Sequence, residues 1–222
     1  MRLFITILIF CCLLFACSQA EQSDNNESKH GSKSELSTID SASFEQAMNK
    51  ALLVDSLDTF RMDYPIYFLT SGHFLTDTAK NLLLTKQVDS SEYIIELYIQ
   101  QDRNWIKKAG LKTNDISIIS YYPKFQDFNF DGQKDIFIQV SASNGYVMSR
   151  GHLITIDPKS NALTLHPEVR EEANLEADSK NKTVVSEEYI SCNNPPYPDV
   201  CKKSFQWIQN KLVLKGKKCP CK

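Results

Sequence analysis

The chain has 222 residues and an almost balanced charge, with 25 Lys and Arg against 27 Asp and Glu and a formal net charge of −2 at pH 7. Because no strong positive field surrounds such a chain, its composition gives no support to a nucleic-acid partner. The length leaves room for one domain with a substantial hydrophobic core after any targeting segment is removed.

The N-terminal segment has the pattern of an export signal. Arg2 is followed by an apolar run from Leu3 to Ala16. This run is too short to span the roughly 30 Å core of a bilayer as a helix, but it has the usual size of a signal-peptide core. We therefore expect residues 1–16 to be a signal peptide and not part of the fold.

The residues that close this run, Leu14-Phe15-Ala16-Cys17, resemble the lipobox of bacterial lipoproteins. The resemblance implies cleavage before Cys17, a diacylglycerol on its sulfur and an acyl chain such as palmitate on its new amine. Such lipids would hold a soluble domain at a membrane. The residue after Cys17 is Ser18 and not aspartate. In the pattern of Gram-negative lipoproteins this implies sorting to the outer membrane, with the domain facing the periplasm or the cell surface. The alternatives are an ordinary signal peptide cut nearby and an uncleaved anchor.

Residues 17–43 are rich in Ser, Glu, Gln, Asn, Asp and Lys, with almost no apolar side chains beyond Leu36 and Ile39. Such a segment cannot bury enough surface to offset its ordering entropy, so we expect a disordered tether. The remaining residues, 44–222, are expected to form a single mainly-β domain with a disulfide-rich C-terminal cap.

Helical spacing of Phe44, Ala47 and Met48 behind a possible N-cap at Ser43 predicts one short helix that ends near Asp55. Strands are predicted at 64–69, 93–99, 116–121 and 136–140, whereas 76–85 is ambiguous between a helical turn and a strand. Three hairpins are predicted at 152–165, 174–186 and 205–214, each around a turn that contains Asp, Asn or Lys. These elements predict an antiparallel meander that forms a sandwich or a strongly twisted sheet.

The densest acidic cluster is the stretch DFNFDGQKD at 127–135, here called the acidic loop. Its oxygen-bearing side chains and its glycine, Gly132 at position six, occur in the same order along the chain as in a calcium-binding EF-hand loop. The odd residues are expected to face a calcium ion, while Phe128 and Phe130 face the core. The expected ligands are the side chains at positions one, three, five and nine and a backbone carbonyl at position seven: Asp127, Asn129, Asp131, Asp135 and Gln133.

This loop departs from a true EF-hand, because Ile138 occupies position twelve and strands flank it. That variant resembles the FG-GAP and VCBS type of calcium loop, and its single copy excludes a propeller. An Asx-rich turn that needs no ion is the alternative. A catalytic carboxylate pair is disfavoured, because a glycosidase needs two carboxyl groups separated across a cleft.

The run from Phe125 to Leu214 is similar to small bacterial periplasmic lipoproteins that have one such loop and end in an aromatic-x-Trp-x-x-x-x-Leu element, here residues 205–212. Some of these look like lysozyme inhibitors or immunity proteins. The resemblance implies a non-catalytic envelope protein that binds a protein partner. Tyr146 and Arg150, near the turn at Asn144, are the expected partner contacts, with a plain surface turn as the alternative.

Once Cys11 and Cys12 are removed and Cys17 is lipidated, four cysteines remain near the C-terminus: Cys192, Cys201, Cys219 and Cys221. An even number in an exported chain predicts two disulfides, with three possible connectivities. Cys219 and Cys221 lie too close to pair comfortably with each other, which favours bonds from them to the other two. A four-thiolate zinc site is the rival, although the spacing matches no common zinc motif.

Known catalytic motifs are missing from the sequence, which has no H-E-x-x-H, no G-x-S-x-G and no glycine-rich phosphate loop. Trp105 and Trp207 could form a carbohydrate platform, but core packing is the more usual role of such residues. The alternative function is an exported hydrolase whose site is not visible in sequence. A cleft in which histidine and carboxylates converge would favour that alternative.

Overall fold

The computed structural model describes residues 32–63, 66–76, 78–114, 116, 121–142, 148–192 and 199–221. The expected signal peptide, the lipidated Cys17 and the expected partner contact Tyr146 lie outside these residues. Most of the strand predicted at 116–121 also lies outside them.

Helix α1 (Ser32–Leu53) begins before the predicted start at Ser43, so residues 32–43 of the predicted tether are helical. The physical reason is that α1 contains no glycine or proline, whereas Gly31 directly precedes it. At its C-terminal end, the Lys80 ammonium donates to the backbone carbonyl of Ala51, in the last turn, and to that of Val54, just after the helix. These bonds satisfy carbonyls that have no partner within the helix.

Across the described ranges, no helix is long and apolar enough to cross a membrane.

Thirteen strands in the described residues form three antiparallel sheets, each built from strands that are consecutive in sequence. The N-terminal sheet contains β1 (Leu57–Arg61), β2 (Tyr67–Gly72), β3 (Asn81–Gln87), β4 (Glu92–Gln101) and β5 (Asn104–Asn114). The middle sheet contains β6 (Tyr122–Gln126), β7 (Asp135–Ala142), β8 (Ser149–Ile156) and β9 (Leu163–Leu165). The C-terminal sheet contains β10 (Glu176–Asp178), β11 (Thr183–Ile190), β12 (Asp199–Ile208) and β13 (Lys211–Lys218). The predicted mainly-β antiparallel fold is therefore confirmed.

The middle sheet is apolar on both faces, and this property makes it the central layer. Ile136 and Ile138 of β7 join a core with Leu83 and Leu97 of the N-terminal sheet. Phe137 of β7 points to the opposite side and joins a second core, which includes Val184, Phe205 and Leu212 of the C-terminal sheet. Because side chains alternate along a strand, one short apolar run supplies both cores.

The three predicted hairpins are β8–β9, β10–β11 and β12–β13, and the segment at 76–85 that the sequence left open leads into strand β3. A short 3-10 helix (Pro167–Val169) links β9 towards the C-terminal sheet. Strands β1, β5 and β6 were not predicted. The largest of them, β5, pairs along the whole length of β4.

Two disulfides tie the C-terminal segment together, Cys192 to Cys221 and Cys201 to Cys219. The prediction that the last two cysteines form disulfides with the first two is confirmed. All four sulfur atoms are used in these bonds, so they do not form the alternative four-thiolate zinc site. The Cys201–Cys219 bond follows the last paired rung of β12 and β13, which joins Lys202 to Lys218.

Candidate functional site

The acidic loop joins β6 to β7 and lies where the middle sheet meets the C-terminal sheet. Phe128 is completely buried in the core between those two sheets. Its carbonyl oxygen accepts a hydrogen bond from the Trp207 indole N–H, at 2.7 Å. The loop is therefore fastened to β12 as well as to the strands that it connects.

Three polar side chains on the outer part of the loop share a small set of hydrogen bonds. The backbone N–H of Asp131 donates to Asp127 Oδ1 and to Asn129 Oδ1, each at 3.1 Å. Asp127 Oδ2 accepts from the backbone N–H of Gly132 at 3.0 Å, and Asn129 Nδ2 donates to Asp131 Oδ2 at 2.8 Å. The structure therefore brings Asp127, Asn129 and Asp131 together.

This donor set fits a calcium ion in chemistry, because two carboxylates and an amide oxygen meet within one turn. Among the described residues, Asp127 and Asp131 form no salt bridge with a basic side chain. Within the same ranges, no cluster of three or more His, Cys, Asp or Glu side chains is arranged to hold a metal. A calcium ion here would therefore also need amide, carbonyl and water oxygens, since it takes about 6–8 oxygen ligands.

Asp135, expected to close the ligand set, is placed differently from the other three. Its side chain has no solvent exposure. Asp135 Oδ2 accepts from the backbone N–H groups of Phe128 and Asn129, at 2.9 and 3.1 Å, and Oδ1 accepts from that of Ile156 at 2.9 Å. The carboxylate thus connects the loop to β8 inside the protein.

Burial raises the pKa of the Asp135 carboxyl to about 7, although its three backbone hydrogen bonds act in the opposite direction.

The two phenylalanines of the loop also differ from each other. Phe128 faces the core as expected, but Phe130 is only half-buried, and the Lys182 ammonium lies 5.2 Å from its ring centroid. The Phe130 backbone has φ of 63°, a left-handed conformation that is unusual for a bulky residue. Because this conformation is not that of an extended strand, Phe130 does not follow the in-and-out alternation of strand side chains.

Gln133 contributes its side chain to a neighbouring segment. Its Nε2 donates to the Leu75 carbonyl at 3.4 Å and to the Lys134 carbonyl at 3.3 Å. The amide therefore connects the acidic loop to the segment that precedes β3.

A polar cleft of about 330 Å³ opens beside the acidic loop. Its described lining includes Asn129 and Asp131 from the loop, Asp157 after β8, His166 after β9, and Trp207 and Asn210 from the β12–β13 hairpin. Sequence reasoning did not find this cleft, because its residues come from four separate segments and no motif links them.

His166 and Thr155 form the buried floor of the cleft, with exposed fractions of 3% and 9%. His166 Nε2 lies 2.8 Å from Thr155 Oγ1, and Nδ1 lies 3.2 Å from Glu168 Oε1. Burial lowers the pKa of His166, and the nearby Glu168 partly offsets that effect. The result is a hydroxyl, an imidazole and a carboxylate in one hydrogen-bonded chain.

Arg150, the described member of the expected partner contacts, is engaged within the protein. Its Nε donates to the Glu171 carbonyl at 3.0 Å, and its Nη2 donates to Glu188 Oε1 at 2.9 Å. These bonds tie the start of β8 to the C-terminal sheet. The guanidinium thus has two partners within the protein, and its role as a contact to another protein stays a prediction.

No protein-family model, no curated protein and no solved structure matches this chain. The likeness to FG-GAP and VCBS loops and to inhibitor-like lipoproteins therefore stays a prediction from the residues themselves.

Proposed function

We propose that this chain is a lipid-anchored, non-catalytic binding protein of the bacterial envelope, stabilised by calcium in its acidic loop. The observation that carries the proposal is the convergence of Asp127, Asn129 and Asp131 on one turn that is fixed to the core by Asp135. The two disulfides support export, because such bonds persist in oxidising compartments.

In this proposal the ion is structural. Asp127, Asn129 and Asp131 would hold calcium together with the Gln133 carbonyl and water, while Asp135 would hold the loop in place. The ion would offset the repulsion between the two outer carboxylates and so stabilise the folded state. A site at a hundredfold excess of calcium over its Kd would add about 2.7 kcal/mol to the free energy of unfolding.

Thermal unfolding with and without a calcium chelator tests this role. We expect chelation to lower the midpoint for the native chain and to have no effect on Asp131→Ala. Asp178→Ala is the matched control, because Asp178 also accepts backbone N–H bonds in a turn but lies outside the acidic loop. Identical melting of the native chain with chelator and with calcium would contradict the proposal.

Anchoring is tested separately with Cys17→Ser. The substitution removes the sulfur that would carry the diacylglycerol, so the protein is expected to move from the membrane pellet to the soluble fraction. Mass spectrometry of the native protein should show a lipid mass on the N-terminal cysteine. Retention of the variant in the pellet would count against the anchor.

The proposed partner is a protein of the envelope, as the likeness to inhibitor and immunity lipoproteins implies. A pull-down from envelope extract, with purified candidate partners used afterwards for direct binding, tests this part. If no purified protein recovered in that way binds the isolated chain, the proposed protein-binding role is contradicted.

A second candidate, an exported hydrolase, is favoured by the hydrogen-bonded chain of Thr155, His166 and Glu168. In that mechanism Thr155 Oγ would bond to the carbonyl carbon of an ester while its proton passes to His166 Nε2. The imidazolium would then give the proton to the leaving alkoxide, and water would release the acid by the reverse sequence.

A fluorophosphonate probe separates the two candidates. A hydrolase would be labelled at Thr155, and the label would be lost in Thr155→Val. A binding protein would show no labelling of the native chain, and hydrolysis of 4-nitrophenyl acetate would not exceed that by His166→Asn.

A further inference from the structure

The cleft beside the acidic loop combines a buried floor with an exposed polar rim. Thr155 and His166 lie at its floor, whereas Asp157, Thr164 and Asn210 are exposed at its edge. Its volume of about 330 Å³ is at the lower end of the roughly 300–1,000 Å³ of small-molecule sites. The space therefore suits a small polar molecule and not a protein surface.

The rim carries hydrogen-bonding groups that the fold leaves available. Among the described residues, the side chains of Thr164 and Asn210 have no hydrogen-bond partner within the protein. Asp157 Oδ1 accepts from the backbone N–H groups of Lys159 and Ser160, at 3.0 and 2.7 Å, but these bonds leave Oδ2 available. The rim thus offers a hydroxyl, an amide and a carboxylate oxygen to a ligand.

Trp207 adds an apolar surface to this polar setting. Its indole N–H is already used by the Phe128 carbonyl, at 2.7 Å, so the half-buried ring can offer only carbon atoms to a ligand. His166 packs against the ring at right angles, with centroids 4.8 Å apart. A fixed aromatic ring beside hydrogen-bonding side chains matches the two kinds of surface on a sugar, its C–H face and its hydroxyl edge.

The charges of the cleft narrow the class of ligand. Asp131 and Asp157 are acidic, and the described lining residues include no Lys or Arg. While the acidic loop holds no calcium, a sugar acid or phosphate would bring its negative charge close to these carboxylates, and the described lining has no Lys or Arg to compensate it, so binding would be repelled. A neutral saccharide, or one with an amino group, meets no such repulsion.

We propose that this cleft binds a neutral or amino saccharide of one or two rings. The sugar would place its C–H face against Trp207 and its hydroxyls against Asp157, Thr164 and Asn210. This inference goes beyond the proposed function and depends neither on the lipid anchor nor on the protein partner.

Calorimetric titration of the full chain tests it, in a zwitterionic detergent without a sugar headgroup and with a calcium chelator, so that no ion on Asp131 offsets the negative charge of the cleft. The probes are cellobiose, N,N′-diacetylchitobiose and digalacturonic acid. We expect at least one of the two neutral disaccharides to bind and the diacid to bind at least tenfold more weakly. Absence of binding by both neutral disaccharides, or equally tight binding of the diacid, would overturn the proposal.

The variant Asn210→Gly tests the location of the site. Asn210 has φ of 61°, a conformation that glycine adopts readily, so the substitution removes the side chain while keeping the turn. We expect binding to weaken about fivefold to tenfold, as for the loss of one hydrogen bond. Asp102→Gly is the matched control, because Asp102 also has positive φ, of 50°, but lies in the β4–β5 turn.

A second variant, Trp207→Phe, reduces the ring surface while keeping an aromatic side chain in the core. It should also weaken binding, and circular dichroism would verify that the sheet is retained. If Asn210→Gly and Trp207→Phe are folded and bind the disaccharide as tightly as the native chain, the sugar does not occupy this cleft and the proposal fails.

Discussion

Asp135 is the side chain on which the acidic loop depends. Its two oxygens accept three backbone N–H bonds from two segments that are far apart in sequence. In Asp135→Asn one of these oxygens becomes an NH₂ group, which cannot accept the N–H on its side. At a pH above its pKa of about 7 the Asp135 carboxyl is charged, and there we expect the free energy of unfolding to fall by about 1.5–3 kcal/mol, because the lost bonds are made by a buried charged group.

Chemical denaturation in the presence of chelator measures this effect without any contribution from calcium. Asp131→Asn is the control, since Asp131 is exposed and its substitution also replaces one carboxylate by an amide within the same loop. Equal stability of the two variants would show that the three bonds of Asp135 do not hold the loop.

The same residue shows where the sequence stops being informative about the site. The spacing of the acidic loop placed four oxygen side chains in ligand order, and the structure brings three of them together. The spacing could not reveal that Asp135 turns inward, because the acceptor role depends on the N–H of Ile156, which lies on another strand. The sequence named Trp207 as a possible sugar-binding residue, but its place beside His166 was not visible, since only the packing of the sheets brings the two into one cleft.

At the level of single strands, β7 and β8 can pair closely because residue 151 is a glycine and has no Cβ atom. A Cβ atom at this position would lie 2.1 Å from the Ile138 carbonyl oxygen and 2.9 Å from the Phe137 ring. Since backbone atoms cannot move aside, Gly151→Ala must shift the central sheet. We expect a loss of about 3 kcal/mol in the free energy of unfolding, at the upper end of the usual cost of overpacking.

Gly216→Ala in β13 provides the comparison. Its Cβ would meet only the Ser204 hydroxyl at 3.1 Å, and that side chain can rotate away. We expect its loss of stability to stay below about 1 kcal/mol. Denaturant titration of both variants measures the difference, and a similar loss in both would contradict the close-approach argument for Gly151.

Strands were predictable where their residues alternate or form short apolar runs. The segments that became β4, β7 and β8 are rich in Ile, Leu, Tyr and Phe, and all three were found. Strand β5 was missed because its residues are mostly exposed and polar, so its pairing with β4 is the cause of its conformation. The start of helix α1 was predicted at Ser43 instead of Ser32, because the polar residues before Ser43 show no apolar helical spacing, although without glycine or proline they can still be helical.

At the scale of the whole molecule, the C-terminal sheet supports both the acidic loop and the cleft. Trp207 on β12 contacts the loop and lines the cleft, while Phe205 and Leu212 fill the core below. The two disulfides lie at the other end of β12 and β13 and in the segment that follows β11. Reduction of the two disulfides is therefore expected to destabilise the acidic loop and the cleft, because it loosens the sheet that supports both. No cysteine is among the described residues that line the cleft, so the effect would be indirect.

The disulfides give the last prediction. Cys192 and Cys221 are separated by 29 residues, and Cys201 and Cys219 by 18. Because the entropy of loop closure grows only with the logarithm of length, each bond should add about 3–4 kcal/mol to the free energy of unfolding in the chain-entropy model.

The double variants Cys192→Ser with Cys221→Ser, and Cys201→Ser with Cys219→Ser, should therefore lose similar amounts of stability. The second should lose slightly more than closure entropy alone gives, because Cys201 is only 3% exposed and its packing changes as well. Denaturant titration of both variants, and of the native chain with reductant, measures these losses. An unchanged denaturation midpoint in reductant would mean that the disulfides do not stabilise the fold.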